Sequence, residues 1–582
     1  MLLDHELAWK DLTVYKEIYK NSIKNPEEFW AYHREKMFPN QIFNASYNCV
    51  DRHAKAHPNK TAIVWYGDEC CERREISYGK LLVMVRKIAS ELLRQGVKKN
   101  DSVTIYAPMI PESMAAMLAC CRIGAVHNVV FSGFAANALK KRIEHSNSKV
   151  VITVSSMARG GKLINPLKIV LNSITDQRVI LLDHVEDFEL DERTAEVEPV
   201  DCNDDMFTLY TSGSTEIPKK IRHRCGGYLL YAAMTYKYIF DVREDDVHFC
   251  TSDIGWITGH SYIVYAPLFF GLKVVIFQGV PTYPQNGRYW DIITRERVSI
   301  FYSAPTAIRC LSSLGDDSLD SYDFSTLRVL GCVGEPINET AWQWYCKNIG
   351  QNRCPIMDTW WQTETGGIIL APLCNLSEQK PGFASKPFFG IEPDIVNSEL
   401  VIKRKNWPGL SANFERNDGK IYHTGDKAMA DEDGDIKILG RIDDVINVSG
   451  HRIGTSELES VINSLGEIEE CAVVGVPHRI KGQAIFVFAT TTSELNQEQK
   501  ESVFKEISER IRQEIGAIAK PEKAAFVSEL PKTRSGKIKR NVLQLIGSKE
   551  PIDSNRSDFA SIANPECLKE IEKVTKFSAI KV

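Results

Sequence analysis

At 582 residues the chain is too long for a single hydrophobic core, so at least two domains are expected. With 43% apolar and 25% charged residues it has the composition of a soluble globular protein, and a net charge of −5 argues against nucleic acid as its main partner. No stretch of 18 apolar residues occurs to span a membrane. The fifteen cysteines show no CxxC and the thirteen histidines no HExxH, which excludes the common metal cages and points to reduced thiols in the cytoplasm. The opening MLLDHELAWK carries charges where a secretory signal keeps an apolar core.

In chain order, Leu81, Leu82, Val85, Ile88, Ala89, Leu92 and Leu93 recur at helical spacing, and Gly96 supplies a stop. SVTIYAP (102–108) reads as a buried strand, and PESMAAMLACCRIG (111–124) as a helix with Pro in its first turn. HNVVF, SKVVITV and RVILLD continue as buried strands, followed by LKVVIFQ (272–278), VSIFYS (298–303) and LRVLGCVG (327–334), with a helix at 341–350. This alternation predicts an α/β domain with a mostly parallel sheet. Past residue 440 the texture shifts to helix, two strands and a charged helix ending at Gly516, a small α+β unit. The predicted division is a large N-terminal domain over 1–441, a small one over 442–548 joined at GRIDD, and a polar tail, ordered to loose, over 549–582.

Five segments carry chemistry. YTSGSTEIPKK follows a strand-like MFTLY. Its hydroxyls and backbone N–H groups suit phosphate oxygens and its lysines suit their charge, although the P-loop spacing is absent. DTWWQTETGG (358–367) offers aromatic walls and a carboxylate for a metal, and YHTGD (422–426) presents Asp426 on a Thr-Gly turn, suited to ribose hydroxyls. GRIDDVINVSGHRIG (440–454) and LPKTRSGKIKR (530–540), with Lys537, complete the set. Each alone is a weak signal: a hydroxyl-rich loop is commonly a turn, and a tryptophan pair is commonly core.

Together, in this order, and with CVDRHA, RIGAVHNVVFSGF, DIGWITGHSYIVYAPL, APTAIR and GEPIN, they resemble the adenylate-forming superfamily of acyl-CoA synthetases, luciferases and peptide-synthetase adenylation domains, and within it the acetyl-CoA synthetases. The resemblance runs from about Asn44 to Leu545. It implies a large multi-sheet N-terminal domain and a small, mobile C-terminal one. It also implies a two-step reaction: a carboxylate attacks the α-phosphate of MgATP, and coenzyme A then takes the acyl group.

The roles that follow are those the resemblance implies. Thr211, Ser212, Gly213, Ser214, Thr215 and Lys219 would hold the β- and γ-phosphates. Gly334, Glu335 and Pro336 match the adenine side; Asp358, Thr359, Trp360, Trp361, Gln362 and Thr363 would line adenine and α-phosphate; Glu364 would carry Mg²⁺. Asp426 would bind the ribose, with Arg441 beside it, and Arg452 would reach a phosphate. Lys537 would bridge the carboxylate and α-phosphate oxygens, a cation placed where charge builds. Asp443 matches the pivot about which the small domain turns between half-reactions. Arg159, Lys162, Thr258, Ser449 and Arg512 match positions that meet coenzyme A. Trp361 matches the tryptophan that closes the acyl pocket in acetate enzymes, with Ile257, Thr258 and Val333 as the other walls, so acetate or propionate is the expected acid. The partners expected are these small molecules, with the protein a monomer or homo-oligomer.

Two departures bear on the phosphate segment: Glu216 and Lys220 stand where the family has glycine. They leave open a regulatory or nucleotide-binding protein on the same fold, or an adenylating enzyme serving another acceptor such as a carrier protein.

Overall fold

The computed structural model describes residues 11–211, 218–315, 319–374, 376, 379–414, 419–442, 445–532, 538–550, 562, 564–577 and 579–581. They form two compact units. One holds the described residues up to Ser132, those of Ile143–Tyr210 and those of Lys220–Gly440; the other holds Gly133–Arg142, the described part of 211–219, and the described residues from Arg441 onward.

Two large sheets build the first unit. The seven-stranded sheet runs, edge to edge, Ile356–Asp358, Val329–Cys332, Ile300–Ser303, Val247–Cys250, Lys273–Phe277, Thr61–Tyr66 and Arg73–Ser77. All its pairings are parallel except the last, where Arg73–Ser77 lies antiparallel on Thr61–Tyr66. The six-stranded sheet runs Lys219–Arg224, Asp205–Thr211, Val126–Val129, Ser102–Ile105, Val150–Thr153 and Arg178–Leu181. Central strands such as VVIT are buried at every position, as a parallel sheet covered on both faces requires. The helix Cys225–Ile239 is buried almost all round, because it packs on both sheets: Tyr228 meets Phe207 of one at 4.7 Å and Tyr236 meets His248 of the other at 5.1 Å.

The helices follow their sequence signals. The predicted helix after residue 80 spans Tyr78–Arg94, with the Ser77 side chain accepting from the Lys80 N–H, and Gly96 follows it at φ +78°. The next is Pro111–Arg122, with Pro at its first position. A smaller sheet of Pro393–Val396, Glu399–Ile402, Tyr422–Ala430 and Ile436–Arg441 and two two-stranded pairs accompany the two large sheets.

The second unit is α+β. The strand Gly482–Thr491 pairs antiparallel with Ile468–His478 and parallel with Lys523–Phe526. Helices Thr455–Asn463, Gln497–Glu514 and Arg540–Gly547 pack around them. The tail differs from its sequence reading. Cys567–Phe577 is an amphipathic helix whose Ile571 is fully buried, and Ile580–Lys581 adds an antiparallel strand beside Lys523–Phe526. The apolar positions Leu568, Ile571 and Val574 carry the helical spacing, but they follow a polar stretch that dominates the segment's composition.

Candidate active site

The DTWWQTETGG segment begins at the end of the strand Ile356–Asp358, at the edge of the seven-stranded sheet, where α/β sheets present their ligands. After it the chain makes a single 3₁₀ turn, Thr363–Thr365. A reciprocal cap fixes that turn: the Gln362 N–H donates to Thr365 Oγ1 at 3.1 Å, and Thr365 Oγ1 donates to the Gln362 carbonyl at 2.9 Å. Gly366 ends the turn at φ +72°, with a Cβ position only 2.2 Å from the Gly409 carbonyl oxygen, so both conformation and space demand glycine there.

Asp426 meets this segment directly. Gln362 Nε2 donates to Asp426 Oδ2 at 2.6 Å, and the Trp360 indole N–H donates to the same oxygen at 3.2 Å. Gln362 is itself held, its Nε2 donating to the Thr424 carbonyl at 2.8 Å and its Oε1 accepting from the Tyr422 hydroxyl at 2.7 Å. A buried carboxylate is tolerated because it is hydrogen-bonded in this way. Asp426 is not on a turn between elements, as its sequence suggested. It lies inside the strand Tyr422–Ala430, where the register against Glu399–Ile402 slips and Gly425 takes φ +70°. The side chain of Glu399 accepts from the Gly425 N–H at 2.9 Å, so the bulge that aims Asp426 is pinned from the neighbouring strand.

Thr359 Oγ1 donates to the Cys332 carbonyl at 2.7 Å and lies 2.6 Å from the Tyr302 hydroxyl. Trp361 stands edge-on to Tyr262, ring centres 5.0 Å apart, and shares one apolar cluster with Ile257 and Val333; Thr258 is buried next to Ile257 in sequence. Gly334 adopts φ +94°. Glu335 is anchored by Arg309 Nη2 at 2.7 Å and by the Thr306 hydroxyl, and burial still pushes its carboxyl up. Arg309 belongs to APTAIR, a segment that carried the resemblance without an assigned role. Pro336 follows in the same loop, and Glu364 is buried in the 3₁₀ turn.

The Asp358 carboxyl is raised by burial to about 7, with the Lys437 charge pulling it the other way. In an unfolded chain it ionises near pH 4. Between about pH 4 and 7 the folded state therefore keeps a proton that the unfolded state releases, and the stabilisation from this group is lost as pH rises through 7. Asp358→Asn, which cannot ionise, should gain in urea-unfolding free energy over the natural chain across that window, by on the order of 4 kcal/mol at pH 8. A midpoint difference that is flat with pH would contradict this.

Arg159 and Lys162 face each other across a tight hairpin, Met157–Arg159 against Lys162–Ile164. The two central glycines both have positive φ, and their N–H groups donate to the two carboxylate oxygens of Asp68 at 2.7 and 2.8 Å. Sequence reading missed Asp68, because its partners lie more than ninety residues away.

Within the second unit, Ser449 and Gly450 form a two-residue hairpin turn with φ +54° and +83° that places Arg452 on the returning strand His451–Gly454. Arg512 lies exposed near the end of Gln497–Glu514, 3.5 Å from Glu509. Arg441 ends the strand Ile436–Arg441, Thr211 ends Asp205–Thr211, and Lys219 begins Lys219–Arg224. Ser212, Gly213, Ser214, Thr215, Glu216, Asp443 and Lys537 lie outside the described residues.

The geometry thus places the Asp358–Glu364 segment, Asp426 and Val333–Glu335 within one unit, with Trp361 packed into its main core. The family described as AMP-binding enzyme matches residues 50–422, and its C-terminal domain matches 457–537. The chain belongs to the AMP-binding enzyme family. Relatives agree over nearly the whole length. The acetyl-coenzyme A synthetase of Halorhodospira halophila is 43% identical, covering 95% of this chain and 94% of its own. That of Bradyrhizobium diazoefficiens is 42% identical over 97% and 96%, and that of Brucella anthropi 42% over 95% and 95%. The family match includes Trp360 and Gln362 and ends at Tyr422, four residues before Asp426.

Proposed function

We propose that the protein is an AMP-forming acetate–CoA ligase: acetate, ATP and coenzyme A give acetyl-CoA, AMP and pyrophosphate. The observation that supports this reading most is the pairing of Asp426 with Trp360 and Gln362, in a chain about 42% identical to acetyl-coenzyme A synthetases.

In the first step a carboxylate oxygen bonds to the α-phosphorus and the bond to pyrophosphate breaks. In the second the thiol sulfur bonds to the acyl carbon, AMP leaves, and the thiol proton is released. Two anions meet in the first step, so positioning and charge neutralisation do most of the catalysis. Asp426, held rigid by Trp360 and Gln362, fixes the ribose. Gly334–Pro336, braced by Arg309 and Thr306, forms the adenine wall. Thr363 and Lys537 address the α-phosphate, and Thr211–Thr215 with Lys219 the leaving pyrophosphate. A buried carboxylate fits a hard divalent cation, so Glu364 is the residue that would hold Mg²⁺, which supplies charge neutralisation when bound. Arg159, Lys162 and Arg512 are cations suited to the phosphates of coenzyme A, and Thr258 and Ser449 match positions that meet coenzyme A in the family. All fifteen cysteines are free, in keeping with a reducing cytoplasm.

The acid is read as acetate because Trp361 matches the tryptophan that closes the acyl pocket in acetate enzymes; propionate differs by one methylene, worth about 1–3 kcal/mol. The test is thioester formation with free coenzyme A and no protein acceptor. Acetyl-CoA with one AMP per thioester is expected. Acyl transfer seen only when a carrier protein is added would overturn the acceptor assignment.

A further inference from the structure

Asp68 sits in the turn that joins the strands Thr61–Tyr66 and Arg73–Ser77 of the seven-stranded sheet, and it is almost wholly buried there. Arg288 holds that turn, its Nη2 donating to the Gly67 carbonyl at 2.8 Å. Tyr283 donates its hydroxyl to Glu69 Oε1 at 2.7 Å, and its ring lies 2.9 Å from where a Cβ on Gly161 would stand. Gln278 Nε2 donates to the Ala158 carbonyl at 3.3 Å. The hairpin of Arg159 and Lys162, which follows the strand Val150–Thr153 of the six-stranded sheet, is thereby seated against the other sheet. All these residues belong to one unit.

The Asp68 carboxylate is the centre of that seat. Gly160 and Gly161 take φ +60° and +73°, the pair of left-handed residues that a two-residue hairpin turn needs. Successive N–H groups in such a turn converge and bind anions. Here they donate to the two oxygens of Asp68, at 2.7 and 2.8 Å. The protein's own carboxylate fills the backbone's anion site, so the cations on either side of it serve another anion.

Arg159 and Lys162 lie directly opposite in the register, so both project from one face of the hairpin, and both are exposed. Like charges so placed repel, and an anion between them relieves the repulsion. Ala158 and Arg159 also border a cavity of about 110 Å³ whose walls include Ser252, Asp253 and Gln278, which gives a ligand room beside the cations. We propose that Asp68 is a positioning residue for coenzyme A: by clamping the Gly160 and Gly161 N–H groups, it holds Arg159 and Lys162 as a two-cation fork for a phosphate of the nucleotide end. The inference rests on the coenzyme A reading above and deepens it.

The experiment compares the natural chain, Asp68→Asn, Arg159→Ala and Lys162→Ala in two assays: thioester formation with coenzyme A varied, and acetate-dependent ATP–pyrophosphate exchange, which needs no coenzyme A. Asp68→Asn keeps one acceptor for two N–H donors and sets its own amide hydrogens against the second. It is expected to raise the KM for coenzyme A about three- to tenfold, the range for a lost hydrogen bond, while the KM values for ATP and acetate in exchange hold. Removing a negative charge beside two phosphate-binding cations would by itself lower the KM for coenzyme A, so a rise identifies the clamp. Both assays impaired alike would mark Asp68 as merely structural and overturn the inference. So would an unchanged KM for coenzyme A in Asp68→Asn when Arg159→Ala or Lys162→Ala raises it. If neither of those two moves that KM, or if the natural chain forms no thioester with free coenzyme A, the coenzyme A reading of the hairpin fails and takes the inference with it. Should Asp68→Asn not fold, hydrogen exchange over residues 157–164 of the natural chain decides instead. Gly161 is exposed, so slow exchange of its amide reports the bond to Asp68. Slow exchange that slows further with saturating coenzyme A upholds the inference; exchange at the unstructured rate, or a rate that coenzyme A leaves unchanged, overturns it.

Discussion

Replacing Trp361 with glycine is expected to move acid preference from two carbons toward four or more. The indole contributes roughly 150–250 Å² of contact surface, and its removal leaves a void that a short alkyl chain can fill. Each methylene gained in such a pocket is worth about 1–3 kcal/mol, so kcat/KM for butyrate relative to acetate should rise by at least about tenfold. Acetate itself should turn over more slowly, since it no longer fills the space that orients it. Stability should fall as well, because Tyr262 loses the ring it meets edge-on at 5.0 Å and the emptied site is part of the main core cluster. Large-to-small changes of this kind cost about 3–5 kcal/mol. A panel of acids from two to eight carbons checks this, and unchanged acetate selectivity in a folded variant would remove Trp361 from the acyl pocket.

Lys537→Ala should separate the half-reactions. Losing a cation aimed at developing charge typically costs about 10²–10³ in rate. Adenylation, followed by pyrophosphate release, should fall by that factor. Acetyl-CoA formation from supplied acetyl-AMP and coenzyme A should stay within a few-fold of the natural rate, because that step has no anion–anion attack to assist. Equal losses in both steps would show that Lys537 serves the fold or the second step instead.

Much of the large domain was legible because parallel strands buried on both faces must be nearly all apolar. VVIT and KVVIF announce themselves without any knowledge of their neighbours. The site was legible where chemistry is local: Asp358–Glu364 is one contiguous run, and its glycine stop is dictated by a positive φ. Asp426 was found as a residue but misplaced as structure, because a bulge inside a strand and a Thr-Gly turn look alike in sequence. What stayed hidden depends on distant partners. Asp68 reads as an ordinary turn aspartate until Gly160 and Gly161, more than ninety residues later, are seen lying beside it. The tail helix was missed for another reason: the polar stretch before it outweighs its five apolar positions in eleven residues when composition is read over the whole segment.

The most direct test of the account is acetate-dependent ATP–pyrophosphate exchange by the natural protein, with Lys537→Ala alongside. Exchange that requires acetate or propionate, weakens with longer acids and collapses in the variant is the predicted result. No exchange with any acid from two to eight carbons would mean that the chain, with Glu216 and Lys220 in place of glycines, keeps the fold without the chemistry.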